Sequence, residues 1–134
     1  METVFSKIIA GDIPAKILKE TEHSLAFLDA FPLTKGHTLV IPKNPREKIQ
    51  DLTDEENKDL FSLVHIMASK IDSISGATLI AIHNGKEAGQ EIPHVHVHII
   101  PRSSSDGAGP IHSMFNSSKL SELEIEEIYN KLKD

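Results

Sequence analysis

Apolar and polar residues recur along the chain with periods that change from segment to segment. Phe5, Ile8 and Ile9 fall on one face of a short helix, and Gly11-Asp12-Ile13-Pro14 ends it, because proline cannot supply the next amide proton. Ala15 to Glu20 and Ser24 to Leu28 flank the polar Thr21-Glu22-His23, a spacing that predicts a hairpin. His37-Thr38-Leu39-Val40-Ile41-Pro42 predicts a third strand closed by its proline. Thr53 and Glu56 form a capping box, the hydroxyl serving the first free amides and the carboxylate reaching back. Leu60, Leu63, Val64, Met67, Ile71 and Ile74 then recur every three or four residues, predicting a helix of about five to six turns that ends at Gly76.

Ala77 to Ile82 predicts a further strand, and Asn84 to Gln90, with Gly85 and Gly89, a loop long enough to bind a ligand. It leads into His94-Val95-His96-Val97-His98-Ile99-Ile100, whose period of two predicts a strand with three imidazoles on one face and Val95, Val97 and Ile99 toward the core. Residues 103–110 are small and turn-forming and predict an exposed loop. Ser121 and Glu124 open a short terminal helix whose apolar stripe is Leu123, Ile128 and Leu132. Strands around one long helix, without regular βαβ alternation, predict an α+β fold in a single domain over residues 1–134.

Fourteen Lys and Arg against twenty Asp and Glu give a net charge of −6, and aromatic residues make up only 4% with no Trp. That balance argues against a nucleic-acid partner, which needs phosphate-neutralising cations or stacking rings, and leaves room for a small phosphorylated ligand in a pocket. The absence of Cys removes disulfides, thiolate catalysis and Cys-ligated zinc. No secretory leader pattern and no apolar run near the ~18 residues of a membrane span is present, so a soluble, cytoplasmic protein without membrane contact is expected. The outlying count is eight histidines.

Two chemistries suit the histidine row. Neutral imidazole is a common metal ligand, and His94 with His96 could share one zinc ion. Positions 94 and 98, however, lie roughly 13 Å apart on a strand, so all three do not converge on one ion, and further ligands would come from His37, His83 or a carboxylate. The second chemistry is nucleophilic attack on phosphorus, which needs one ring nitrogen held protonated while the other faces the substrate. His96, with an imidazole on each side, is best placed for it, and amides of the glycine-containing loop would serve the charge developing on phosphorus.

His94 to Ile100 is a complete His-φ-His-φ-His-φ-φ signature, φ being apolar, and in this the sequence resembles the histidine-triad (HIT) family of nucleotidyl hydrolases and transferases. Phe5 to Lys16, Ala26-Phe27-Leu28-Asp29, Gly36 to Lys43 and Ala88-Gly89-Gln90 agree as well, so the resemblance covers residues 3–102 and leaves 103–134 outside it. It implies an antiparallel sheet of about five strands with one long helix packed on it, short flanking helices, and a homodimer. The pocket implied is for a purine nucleotide, with Ile13 and Phe27 against the base, Asp29 on the ribose hydroxyls, and Asn84, Gly89 and Gln90 near the α-phosphate and leaving group. Whether His83 or its neighbour Asn84 meets the ligand stays open.

By the same resemblance His96 is the nucleophile that forms a nucleotidyl-imidazole intermediate and His98 its phosphate-side partner. His94 orients His96 through its carbonyl, and His37 belongs to a proton relay. Glu91 stands where many relatives have Ser or Thr; a carboxylate there points to an amine-bearing leaving group. Many members hold a structural zinc on a Cys-x-x-Cys pair and a later histidine, positions that are Thr3, Ser6 and Pro45 in this chain, so no metal and no cofactor is expected. The activity implied is hydrolysis or transfer at the α-phosphate of purine nucleoside phosphoramidates. Dinucleoside polyphosphates are the alternative substrates, and non-catalytic nucleotide binding the alternative role. His23, His65 and His112 lie outside every motif and are expected to be structural or solvated.

Overall fold

The structure is a computed structural model that describes residues 2–134. Its strands are β1 (Ile17–Glu20), β2 (Ser24–Leu28), β3 (Thr38–Pro42), β4 (Thr78–Ala81) and β5 (Val97–Pro101). They form one antiparallel sheet in the order β1-β2-β3-β5-β4. Three α-helices accompany it: α1 (Val4–Ile9), α2 (Asp54–Ile71) and α3 (Glu122–Leu132). The fold is therefore α+β, with the five strands and one long helix that the spacing and the family resemblance lead one to expect.

The inner strands are covered on both faces, which explains why their sequences are almost continuously apolar. On one face Ala26, Val40, Val97 and Ile99 pack against Leu60, Leu63, Val64, Met67 and Ile71 of α2. On the other, Leu25, Phe27, Leu39 and Ile41 pack against Phe5 and Ile8 of α1. Side chains alternate along a strand, and the β3–β5 register pairs Leu39 with His98, so this imidazole emerges on the α1 face. The capping boxes at Thr3–Ser6 and Thr53–Glu56 start α1 and α2.

Two elements depart from the sequence pattern. Helix α2 stops at Ile71 with Asp72 as its cap, five residues before Gly76, and the amides of Ile74 and Ser75 bond back to the Ile71 carbonyl. The Ser75 hydroxyl donates to the Arg102 carbonyl at 2.7 Å, which holds the chain where β4 must begin pairing with β5. Ile74, though in helical register with the core positions, lies in this turn over Gly36 and is 57% exposed. The second departure is that β5 begins at Val97 rather than at His94, because the Val95 amide bonds to the Arg46 carbonyl at 2.7 Å instead of to β3. Only His98 of the three histidines lies in regular strand.

Among the described residues all buried side chains lie between Phe5 and Pro101, and every residue of α3 is exposed. Arg102 organises the loop that follows β5 by pairing with Asp106 at 2.6 Å and donating to the Ala108 carbonyl. No helix among the described residues is long and apolar enough to cross a membrane.

Candidate active site

Between α1 and the sheet lies a cavity of about 440 Å³, a size suited to a small-molecule ligand. Phe5 and Ile8 of α1 with Phe27, Leu39 and Ile92 make an apolar wall, and His83, Gly89, Glu91, His96 and His98 make the polar one. Asp29, at the end of β2, stands at the junction between the two. The edge of the Phe5 ring meets His94 at 5.6 Å and His96 at 5.0 Å between ring centroids, so α1 covers the row that the sequence alone would leave open.

The hydrogen bonds fix which nitrogen of each imidazole carries the proton. His96 Nδ1 lies 2.8 Å from the His94 carbonyl, an acceptor only, so Nδ1 is protonated and Nε2 keeps its lone pair. His94 donates through Nε2 to the Pro42 carbonyl at 2.8 Å, leaving Nδ1 to accept from the Thr3 hydroxyl at 3.3 Å. The Leu33 amide donates to His37 Nδ1 at 3.1 Å, which puts the proton of His37 on Nε2. That nitrogen in turn donates to His98 Nδ1 at 2.9 Å, so His98 carries its own proton on Nε2. His98 Nε2 is buried and has no hydrogen-bond partner among the described residues, and its ring lines the cavity.

Burial sets the charge of these rings. Desolvation lowers the pKa of His37 against the opposing pull of Asp29, and that of His94 against its bond to Pro42. His96 is lowered by burial first, with the His94 carbonyl opposing and His83 adding to the shift. His98 is driven to about 4 by burial and by the neighbouring charges of His96, His37 and His83. At neutral pH the site therefore presents a neutral His96 with a free lone pair beside a neutral His98 with a free N–H.

Metal binding fits this arrangement poorly. Asp29, His37 and His98 bring ligand atoms within 4.8 Å of one another, yet the Leu33 amide holds the proton of His37 on the nitrogen facing that cluster. Protonated nitrogen has no lone pair for a cation. Nor does a His94–His96 pair form, since both nitrogens of His94 are engaged elsewhere. Thr3 and Ser6 cap each other across the first turn of α1.

The remaining candidates from the sequence divide. Phe27, Asp29, Gly89 and Glu91 line the cavity, whereas Ile13 is half-buried against the cluster of Phe5 and Phe27 and is not among the lining residues. Asn84 turns away, accepting from the Ile49 amide and donating to Gln50, both at 2.9 Å, while its neighbour His83 lines the cavity. Gln90 is 7% exposed and its amide is spent within the protein: it accepts from the Gly85 amide and donates to the Glu47 and Ile92 carbonyls. It is a tether of the 85–90 loop rather than a group free for phosphate. Gln90→Leu should lower the unfolding free energy by about 2 kcal/mol in urea titrations, because three backbone groups lose their partners. Phe5 and Ile8 lie in the family-matching segment without a site role being read for them, and the Leu33 amide is a site group that no motif announced.

Residues 10–105 match the pattern of the HIT domain. The chain is 37% identical over 131 residues to an uncharacterised HIT-like protein of Methanocaldococcus jannaschii, covering 97% of this chain and 98% of that one. It is 43% identical to an adenosine 5′-monophosphoramidase of Schizosaccharomyces pombe, over 79% of this chain and 78% of the relative. To a bis(5′-nucleosyl)-tetraphosphatase of the same yeast it is 40% identical, over 76% of this chain and 56% of the relative. The crystal structure of a HIT family protein from Bacillus subtilis superposes with a TM-score of 0.87 at 38% identity, covering 98% of this chain and 95% of that one. This chain belongs to the HIT family.

Proposed function

We propose that the protein hydrolyses or transfers nucleoside monophosphate groups by displacement at the α-phosphorus, with purine nucleoside phosphoramidates as substrates and His96 as the covalent nucleophile. The observation that carries this reading is the His96–His94 bond of 2.8 Å, which commits the Nδ1 proton to a carbonyl and leaves the Nε2 lone pair free at the cavity wall. Phe5, Ile8 and Phe27 offer the base an apolar face, Asp29 accepts from the ribose, and His98 Nε2–H donates to a non-bridging phosphate oxygen. The relatives supply the two substrate types to weigh, a phosphoramidate and a dinucleoside tetraphosphate. Glu91 at the cavity mouth favours the first, because a carboxylate repels a polyphosphate and tolerates an amine.

The test is AMP release from adenosine 5′-phosphoramidate by chelator-treated protein, with diadenosine tetraphosphate in parallel. Preferred turnover of the phosphoramidate is expected. Preferred turnover of the tetraphosphate would move the assignment to the second substrate, and AMP binding without turnover of either would leave a nucleotide-binding protein.

A further inference from the structure

Antiparallel pairing sets Ala81 of β4 opposite His98, and continuing that register carries position 83 across from His96. The His83 ring follows it. It lies 5.7 Å from the His98 ring, edge to face, packs on Gly89 and lines the cavity beside His96 and His98. An added Cβ at Gly89 would meet the ring at 3.4 Å, an ordinary contact, so it is the φ of +103° that calls for glycine beside the imidazole. In contrast to His37, His94, His96 and His98, His83 is solvent-exposed and makes no hydrogen bond to the described residues.

Expelling a nitrogen leaving group from phosphorus requires a proton on that nitrogen, and the histidines already assigned do not supply one. His98 and His37 are neutral, each with a single N–H, and loss of it would create an imidazolate. Passing a proton along the pair gains nothing, because the far nitrogen of His37 faces the Leu33 amide, itself a donor. His96 is committed to attack. The lining holds no Lys or Arg among the described residues, and its other ionisable groups, Asp29 and Glu91, are carboxylates.

We propose that His83 is a further catalytic residue, the general acid that protonates the departing nitrogen; the assignment rests on the nucleotidyl-transfer reading above. In the first half-reaction the His96 Nε2 lone pair forms the N–P bond. The P–N bond to the leaving group breaks with its electron pair on the departing nitrogen, which takes a proton from the imidazolium form of His83, leaving that ring neutral, and departs as the amine. In the second half-reaction water forms a new P–O bond, a proton from that water returns to His83, and the electrons of the P–Nε2 bond return to His96. The sum converts phosphoramidate and water into amine and nucleoside monophosphate, with both histidines regenerated. Solvent exposure lets His83 exchange protons with water between turnovers.

The test pairs His83→Asn and His83→Ala with two substrates: an N-alkyl adenosine phosphoramidate, whose amine must be protonated to leave, and adenosine 5′-(4-nitrophenyl phosphate), whose leaving group departs as the anion. Expected is a fall in kcat/KM of about 10²-fold or more on the alkyl phosphoramidate for both variants, and of less than about threefold on the nitrophenyl ester. An amide can donate a hydrogen bond but cannot deliver a proton, so Asn should not rescue. Equal losses on both substrates would reduce His83 to a structural residue, and no loss on either would remove it from the mechanism. Wild-type protein idle on both substrates would overturn the nucleotidyl-transfer reading itself and this assignment with it.

Discussion

His96→Ala is expected to lower kcat for AMP release by on the order of 10⁴-fold or more, while the affinity for AMP changes by less than about threefold. The two parts follow from different walls of the cavity. In the proposed mechanism turnover depends on the one ring nitrogen of the row whose lone pair is unpaired at the cavity wall, and no other ring in the row duplicates it. Binding rests on Phe5, Ile8, Phe27 and Leu39, which the substitution leaves in place. Isothermal titration with AMP beside a turnover assay separates them, and residual turnover within about tenfold of wild type would remove His96 as the nucleophile. The wild-type pH profile adds a second check. Attack needs the free base, and burial lowers the pKa of His96 below its ordinary 6.5, so the loss of rate on protonating His96 should fall at lower pH than for an ordinary imidazole.

The reason so much of this site is legible in sequence is that its covalent parts are local. The row from His94 to His98 carries in three alternate positions the proposed nucleophile, the carbonyl that fixes its tautomer and the N–H beside it. Likewise Thr53 and Glu56 announce the start of α2 because a cap is a contact between residues three apart. What local pattern does not carry are decisions made across the sheet. The end of α2 is set by Ser75 reaching the Arg102 carbonyl, and the start of β5 by Arg46 taking the Val95 amide. Gln90 and Asn84 have the composition of phosphate ligands, yet Glu47, Gly85, Ile49 and Gln50 use up their amides. Sequence leaves His83 and Asn84 as alternatives, and it is the β4–β5 register, continued past Ala81, that carries His83 to the cavity wall. The Leu33 amide, which decides the tautomer of His37, leaves no trace in residue identity at all.

Glu56→Gln is expected to destabilise the fold by about 3 kcal/mol at pH 7, and that difference should vanish in acid. Glu56 sits in the first turn of α2 with 3% of its surface exposed. Burial by itself would raise its pKa. The Thr53 amide at 2.8 Å, the Asn44 side chain at 2.5 Å and Arg46 at 3.0 Å outweigh that and hold it at about 2 instead of 4.5. A carboxylate with a depressed pKa contributes its full stabilisation above pH 4.5 and loses it as pH falls toward 2. The gap between wild type and Glu56→Gln in urea-unfolding free energy should therefore be constant from neutral pH to about 5 and close across that window. A gap independent of pH would place the stabilisation in side-chain shape rather than charge. The site feels the same change, because Arg46, which Glu56 holds, accepts the Val95 amide through its carbonyl at 2.7 Å and so fixes the segment bearing His94 and His96. Loss of the carboxylate should consequently depress kcat more than it weakens AMP binding, since the apolar wall does not depend on that strap.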